Sequence, residues 1–229
     1  MMRRFLAGTS VQGRSIRAFE VLPEREPGSW LLLLGVVHGD EPQGRWLLRD
    51  ALRRWWEEPP ARNIGLVVIP CLNPDGSAAR TRVNARGVDL NRNLPTRDWT
   101  PRSPRESNHP GPAPASEPET RALLQLMEGY GFRAILSVHS MRRYQINCNG
   151  PARDWGEALA AVCGYPVTDD IGYPCPGSLG TYAGAERQIP TITLEVDSRA
   201  RMPEILRVHS PVIRRAVEWW DRIAEGHGR

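Results

Sequence analysis

The stretch LLLLGVVHGDE, residues 31–41, joins a long apolar run to a polar tetrapeptide that begins at His38. Three further stretches share this design, with chemically active side chains at the carboxyl end of an apolar run: GLVVIPCLNPDG (65–76), AILSVHS (134–140) and TITLEVD (191–197). Such continuous runs are typical of strands that are covered on both faces. Because ligands bind beyond the carboxyl ends of the strands in open α/β sheets, the four stretches predict a sheet with one functional edge.

Apolar residues at helical spacing lie between these stretches and predict the helices that cover the sheet. One helix follows the first strand and runs to about Trp56, another contains Leu123 and Leu126, and a shorter one covers 154–163. The alternation predicts an α/β fold: a mixed, mainly parallel β-sheet flanked by helices on both faces. A length of 229 residues suits one catalytic domain, which we expect to span 1–229.

Two helix starts and one long loop are indicated by local signals. Ser116-Glu117-Pro118-Glu119 matches a capping box with proline in the first turn, and Ser210-Pro211 matches an N-cap followed by the first residue of a last helix. Residues 94–118 are rich in proline, serine and arginine and show no periodicity. We interpret this segment as a rim of the active-site cleft, with a plain surface loop as the alternative.

The composition excludes several classes of partner and of chemistry. The net charge is +4, but acidic and basic residues are interleaved, so we expect neither a nucleic-acid nor a membrane partner. Every basic residue is an arginine, which excludes a Schiff-base or P-loop lysine. No signal peptide and no membrane span is predicted. The four cysteines lack CxxC spacing, so we expect reduced thiols in a cytoplasmic protein. No pattern indicates an oligomeric state.

The strand ends supply the donors of a metal hydrolase. His38, Glu41 and His139 offer two imidazoles and one carboxylate, and catalytic zinc takes three such ligands while leaving one position open. The same donors can hold other divalent ions. A histidine on an apolar strand is often a satisfied core residue, but the place of His139 at the carboxyl end of its strand favours a ligand.

Further candidates surround this ligand set. Glu195 is embedded in TITLEVD, and a buried carboxylate needs a partner. A salt bridge to an arginine is one interpretation, and we favour a general base that takes a proton from water. The segment RVNARGVDLNRN (82–93) adds Arg82, Asn91 and Arg92, whose donors suit a carboxylate or an oxyanion. A solvated arginine-rich loop is the alternative.

Six motifs occur in the order seen in zinc carboxypeptidases of the carboxypeptidase A superfamily, which the chain resembles from about residue 30 to residue 197. They are HGDE (38–41), NPDG (73–76), GVDLNRN (87–93), SEPET (116–120), SVHS (137–140) and TLE (193–195). The chain is most similar to the bacterial murein peptide amidases in three stretches: the motif HGDEP, the opening segment GTSVQGRSIRA and the segment PGSLGTYAG. The resemblance implies a zinc-dependent amidase that cleaves the γ-D-glutamyl–meso-diaminopimelate bond of murein tripeptide in cell-wall peptide recycling.

The resemblance also implies roles for single residues. His38, Glu41 and His139 correspond to the ligands of one zinc ion, and Glu195 corresponds to the general base.

Substrate contacts are implied in the same way. Arg82 corresponds to the arginine that polarises the scissile carbonyl, and Asn91 with Arg92 corresponds to the pair that binds the terminal carboxylate of the substrate. Tyr173 is similar in placement to the mobile tyrosine that covers the substrate, and Tyr182 is the alternative.

Two departures from the pattern concern specificity. Asp40 stands where digestive carboxypeptidases carry an arginine, and we hypothesise that it receives an amino group of the substrate. The uncharged stretch 178–180 does not indicate a preference for basic C-terminal residues. Three alternative functions stay open: an N-acyl amino acid hydrolase similar to aspartoacylase or succinylglutamate desuccinylase, a carboxypeptidase for α-linked peptides, and a non-catalytic murein-peptide-binding module.

Overall fold

The computed structural model describes residues 1–23, 26–56, 60–61, 63–102 and 106–226, and in this part of the chain eight strands form one mixed sheet. Numbered in chain order, they are β1 (Met2–Thr9), β2 (Ser15–Val21), β3 (Trp30–Gly35), β4 (Gly65–Ile69), β5 (Ala134–Met141), β6 (Gln145–Asn149), β7 (Val167–Thr168) and β8 (Thr191–Asp197). Their order across the sheet is β1-β2-β4-β3-β5-β8-β6-β7.

The centre of the sheet is parallel, as the apolar runs predict. Strands β4, β3, β5 and β8 pair in parallel, whereas β1, β2 and β6 join the sheet in antiparallel fashion. Leu31 and Leu33 point into the core on one face, and Leu32 and Leu34 point into the core on the other. Strand β3 is therefore apolar at successive positions because both of its faces are covered.

Five α-helices lie on the two faces of the sheet within the described residues. They are α1 (Gln43–Trp55), α2 (Pro74–Ala79), α3 (Pro118–Tyr130), α4 (Arg153–Cys163) and α5 (Met202–Gly226). Helices α1, α4 and α5 bury residues such as Leu48, Trp155 and Ile213 in one core cluster, and α3 buries Leu123 in the other. The predicted α/β fold with helices on both faces is confirmed. None of these helices combines the length and the apolar character needed to cross a bilayer.

The last helix begins earlier than the sequence signals predicted. Helix α5 starts at Met202, so Ser210 and Pro211 lie inside it and are not its N-cap and first residue. Ile205, which precedes them, is fully buried against the core. The Ser210 hydroxyl donates to Asp50 of α1 at 3.0 Å. Proline inside a helix removes one backbone hydrogen bond, and burial of the apolar face on both sides of Pro211 outweighs that loss.

The predicted capping box before α3 is also wrong. The N-cap is Glu117 and it makes no side-chain cap hydrogen bond, although Pro118 does occupy the first turn. Ser116 donates its hydroxyl hydrogen to the Glu117 carboxylate at 2.8 Å and accepts from Asn93 at 2.9 Å. The serine and the glutamate are therefore held by tertiary contacts, which a local sequence pattern does not reveal.

Candidate metal centre

The candidate ligands come together because their two strands are neighbours. His38 and Glu41 lie in the loop between β3 and α1, and His139 lies near the carboxyl end of β5, which pairs with β3. Gly39 lets this loop approach α2 closely, since a Cβ atom added there would lie 2.0 Å from the backbone carbonyl carbon of Gly76. A larger residue at position 39 would push the loop away from its support.

Ring nitrogens and carboxylate oxygens converge at one buried point. The Nδ1 atoms of His38 and His139 lie 3.1 Å apart, and they lie 2.9 and 3.1 Å from different oxygens of Glu41. The three candidate ligand atoms all lie within 4.8 Å of one another. The second oxygen of Glu41 also accepts the backbone N–H of Ser140 at 3.1 Å, which fixes the carboxylate.

Asp89, which the sequence analysis did not single out, orients the first histidine. The Nε2 atom of His38 lies 3.1 Å from Oδ1 of Asp89, a residue with no exposed surface. Burial opposes ionisation of Asp89, but the charge and hydrogen bond of His38 and the charge of Arg82 outweigh it and hold the pKa of Asp89 well below its usual range. An ionised carboxylate only accepts, so in the neutral imidazole, the form that binds a metal, Nε2 carries the proton and Nδ1 presents its lone pair.

The residues present fit a divalent cation. Burial alone lowers the pKa of His38, but the neighbouring charges of Glu41 and Asp89 outweigh it and raise that pKa to about 9. The electrostatic potential between these side chains therefore favours a positive charge. Converging lone pairs and carboxylate oxygens in a buried place are stable when a cation lies among them, and two imidazoles with one carboxylate are a donor set that zinc accepts.

Arg82 is fixed at the edge of the same centre. Its Nε atom donates to Oδ2 of Asp89 at 3.0 Å, and its Nη1 atom lies 3.6 Å from Glu41 and 3.3 Å from Nδ1 of His38. The guanidinium is a quarter exposed, so it faces both the metal centre and the solvent. Asp89 thus holds a candidate ligand and a candidate substrate contact at once.

Glu195 reaches the centre from the neighbouring strand. It lies on β8 in register with His139 on β5, so the two side chains stand on the same face of the sheet. Burial is the main reason why the pKa of Glu195 is raised, and the charge of His139 opposes this rise. A carboxylate with a raised pKa holds a proton more readily, as a general base must during turnover.

Two of the candidate substrate residues border a small pocket, and a third contacts one of them. The Oδ1 atom of Asn91 accepts the backbone N–H of Leu179 at 2.8 Å, and Arg92 donates to the carbonyl of Asn91 at 2.6 Å. Asn91 and Tyr173 both line a cavity of about 170 Å³.

Tyr182, the alternative to Tyr173, lies elsewhere. Its ring is packed against the apolar core and is covered by the guanidinium of Arg187 at 3.5 Å. The structure therefore brings Tyr173, and not Tyr182, next to Asn91 at the pocket.

Size alone does not identify the functional cavity. A groove of about 580 Å³ runs between α1 and α5 and is lined by residues such as Arg54, Ser210 and Arg214. The groove contains no cluster of metal-binding side chains in the described part of the chain. The smaller pocket is lined by Asn91, whose backbone N–H donates to Asp89, the partner of His38.

The first residues of the predicted rim loop contact the segment that borders the smaller pocket. Leu94 donates its N–H to the carbonyl of Gly177 at 3.0 Å, and Thr96 accepts the N–H of Gly177 at 2.9 Å. Residues 103–105 of the segment 94–118 lie outside the described residues. The described part supports the interpretation as a rim.

Sequence comparison identifies the family. The model of the zinc carboxypeptidase family matches residues 1–154. Murein peptide amidase A of Vibrio campbellii is 35% identical over 201 residues, which cover 82% of this chain and 77% of that protein. Murein peptide amidase A of Escherichia coli K12 is 34% identical over 208 residues, which cover 83% and 82%. The chain belongs to the zinc carboxypeptidase family and is a hydrolytic enzyme.

Solved structures agree with this assignment. The crystal structure of a murein-tripeptide amidase from Escherichia coli O157 matches with a TM-score of 0.78 at 29% identity, covering 94% of this chain and 92% of that one. Carboxypeptidase A from Helicoverpa armigera matches with a TM-score of 0.78 at 18% identity, covering 97% and 68%, and shares the fold. The predicted resemblance is confirmed, and a non-catalytic binding module is disfavoured.

Proposed function

We propose that the protein is a zinc-dependent amidase that hydrolyses the γ-D-glutamyl–meso-diaminopimelate bond of murein tripeptide. The observation that carries this proposal is the convergence of His38, Glu41 and His139 within 4.8 Å, with Glu195 in register beside His139. The choice of substrate is supported by the two relatives named murein peptide amidase A. We further propose one zinc ion per chain and a role in cell-wall peptide recycling.

Each side chain has a defined part in the proposed reaction. When bound, zinc supplies a Lewis acid that polarises the scissile carbonyl and makes water a stronger nucleophile at neutral pH. Glu195 accepts the proton of the attacking water and returns it to the leaving amine. The guanidinium of Arg82 stabilises the negative charge that develops on the carbonyl oxygen.

The proposed substrate contacts orient the scissile bond. Arg92 and Asn91 hold the carboxylate of the leaving residue, and Tyr173 covers the bound peptide from the exposed side of the pocket. Asp89 keeps His38 and Arg82 in place through its hydrogen bonds of 3.1 and 3.0 Å. Fixed orientation of this kind lowers the entropic cost of bringing the reacting groups together.

A second candidate function is a carboxypeptidase for α-linked peptides. The catalytic chain of human carboxypeptidase N is 31% identical over 172 residues, which cover 60% of this chain and 37% of that protein. Under this second candidate the chemistry would be the same and only the linkage of the substrate would differ. No comparable observation favours an N-acyl amino acid hydrolase.

The test is an assay of L-Ala-γ-D-Glu-meso-diaminopimelate against an α-linked peptide of the same length, with and without a chelator. We expect cleavage of the γ-linked peptide, loss of activity with the chelator and recovery on adding zinc. Preference for the α-linked peptide would favour the second candidate. Cleavage that is insensitive to a strong chelator would contradict the zinc mechanism.

The proposed location is the cytoplasm. The four cysteines are free thiols in the structure, as expected for a protein of a reducing compartment. Fractionation of the source cells with an antibody to the protein tests this proposal, and recovery with periplasmic or secreted markers would contradict it.

A further inference from the structure

Arg92 is a buried cation whose side-chain contacts do not fix its direction. It is only 5% exposed, and no carboxylate in the described part of the chain pairs with its guanidinium. Its Nη1 atom donates to the carbonyl of the adjacent Asn91 at 2.6 Å, and Nη2 lies 3.4 Å from Sγ of Cys175. A buried charge without an opposite charge is costly, so the fold has to hold it by other means. The direction of this side chain therefore depends on how the backbone beside it is held.

Asn93, the residue that follows the guanidinium, ties this backbone to the predicted rim loop. Its side chain has no exposed surface. The Nδ2 atom donates to the carbonyl oxygens of Pro110 and Ala113 at 2.8 and 3.0 Å, and Oδ1 accepts the N–H of Glu117 at 3.2 Å. The carbonyl of Asn93 accepts the N–H of Ala115 at 2.6 Å. One buried residue thus joins the proposed substrate-binding segment to several points of the loop.

The surroundings of this side chain suit an amide. An asparagine offers donors to the two carbonyl oxygens and an acceptor to the N–H group, whereas an aspartate would place an oxygen against the carbonyls. An apolar residue would leave the buried carbonyl of Pro110 without this partner. Gly111 has a φ of +85°, and a Cβ atom added there would lie 2.8 Å from Nδ2 of Asn93. The loop therefore leaves room for the amide at this point.

The anchor at the start of α3 is itself fixed. Ser116 accepts from Nδ2 of Asn93 at 2.9 Å and donates to the carboxylate of Glu117 at 2.8 Å. The other oxygen of Glu117, which is fully buried, accepts from Nδ2 of Asn84 at 2.8 Å. The chain between Asn84 and Asn93 is therefore held at both of its ends by Ser116 and Glu117.

We infer that Asn93 is a positioning residue for the proposed reaction, because it fixes the backbone that directs Arg92 toward the carboxylate of the leaving residue. The inference rests on the proposed function, in which Arg92 binds this carboxylate. Burial of Leu90 in the core also holds the segment against the sheet. Apolar packing has little directional preference, however, whereas hydrogen bonds fix a direction. The rim loop thus supports substrate binding through Asn93 and does more than border the cleft.

The test compares two peptides that differ in one charge. The zinc-loaded protein is assayed on L-Ala-γ-D-Glu-meso-diaminopimelate and on the same peptide in which the carboxyl group beside the scissile amide is a carboxamide. We expect the wild type to prefer the carboxylate peptide. Asn93→Ala should lower kcat/KM for that peptide about tenfold, the size of one hydrogen bond between charged groups, mainly through KM. It should change kcat/KM for the carboxamide peptide less than about twofold.

A double-mutant cycle tests whether Asn93 acts through Arg92. Arg92→Ala should itself remove most of the preference for the carboxylate peptide. If Asn93 only directs this guanidinium, Asn93→Ala should lower kcat/KM of the Arg92→Ala protein less than about twofold on the carboxylate peptide, because the two losses are then not additive. A loss of folded protein would instead lower the rate in both backgrounds and on both peptides alike.

Matched variants keep the test valid if Asn93→Ala unfolds. Ser116→Ala removes one partner of the Asn93 amide and should lower the preference for the carboxylate peptide in the same direction, by about threefold. Asn108→Ala changes an asparagine of the same loop that accepts from Ser107 at 3.3 Å, and it should behave as the wild type. Thermal unfolding of each variant shows that it is folded at the assay temperature.

Three results would overturn the inference. They are equal kcat/KM of the wild type on both peptides, an equal loss on both peptides in folded Asn93→Ala or Ser116→Ala, and a full tenfold loss that persists in the Arg92→Ala background. In each case the proposed amidase function would stand. Cleavage of neither peptide by the zinc-loaded wild type would instead overturn the proposed function, and the inference with it.

Discussion

Among single residues, Asp89 carries more of the proposed site than its place in the sequence indicates. It contacts Nε2 of His38, the guanidinium of Arg82 and the backbone N–H of Asn91 at 2.9–3.1 Å. Its neighbours in GVDLNRN were predicted to act, but Asp89 was not. An aspartate between apolar residues gives no sign of its partners until the fold shows which groups it faces.

Replacement of Asp89 should weaken metal binding without unfolding the protein. In Asp89→Asn the side chain keeps its shape but loses the charge that orients His38 and balances Arg82. We expect zinc affinity to fall about 10- to 100-fold, the usual cost of removing a partner of a metal-binding histidine. Competition with a chromogenic chelator measures the affinity, and Asp154→Asn is the control. Unchanged affinity in Asp89→Asn would show that this carboxylate does not support the ligand.

Among the structural elements, the loop between β3 and α1 depends on its contact with α2. The backbone of Gly39 lies against Gly76, and Asn73 caps α2 by accepting the N–H of Gly76 at 2.9 Å. The NPDG segment after β4 therefore supports the loop that carries His38 and Glu41 from behind. Its polar residues were noticed in the sequence as possible site residues, and the structure gives them this supporting position instead.

A methyl group at position 39 should disturb the metal centre. The added Cβ atom in Gly39→Ala would lie 2.0 Å from a backbone atom of Gly76, so the loop that carries His38 and Glu41 must shift. We expect zinc content after purification to fall at least severalfold and stability to fall by about 1–3 kcal/mol, as in other overpacked sites. Gly129→Ala in α3, where nothing lies within 4 Å, should retain full zinc content. Equal zinc content in both variants would contradict the packing argument.

The turn between β1 and β2 is tied to α2 by Asp75. This carboxylate accepts from the hydroxyl of Ser10 at 2.8 Å, from the N–H of Gln12 at 2.9 Å and from Arg14 at 2.6 Å. Burial raises the pKa of Asp75, but these hydrogen bonds and the Arg14 charge outweigh it, so the net pKa is lowered. A lowered pKa in the folded state means that the ionised carboxylate stabilises the fold.

The contribution of Asp75 should depend on pH in a defined direction. Its stabilisation is present above the unfolded-state pKa, near 3.8, and is lost as the pH falls through the lower folded-state pKa. We expect Asp75→Asn to lower the free energy of unfolding by about 1–3 kcal/mol at pH 7. Urea unfolding at pH 7 and at pH 3 measures the difference between variant and wild type. A difference that does not shrink at pH 3 would contradict the assignment.

For the chain as a whole, the sequence predicted the layers of the fold better than the ends of its elements. The four apolar runs and their polar ends indicated the parallel centre of the sheet, because burial on both faces leaves a plain pattern. The predicted start of α5 was wrong, since the burial of residues before Pro211 outweighs a local capping signal.

Metal binding should stabilise the whole fold, since the proposed ligands come from the loop after β3 and from β5. At a free zinc concentration of about 100 times Kd, binding stabilises the folded state by about 2.7 kcal/mol. For a chain of this size that corresponds to a rise in Tm of about 5–10 °C. Thermal unfolding with zinc and with chelator measures this rise. No difference in Tm would contradict a metal site that joins these two elements.

The central claim is that Glu195 acts as the base beside a metal held by His38, Glu41 and His139. Its most direct test is the hydrolysis of murein tripeptide by Glu195→Gln, with zinc content measured on the same sample. We expect zinc content equal to that of the wild type and a fall in kcat of about 100- to 10,000-fold, the range of a lost general base. Near wild-type turnover by the zinc-loaded variant would contradict the account.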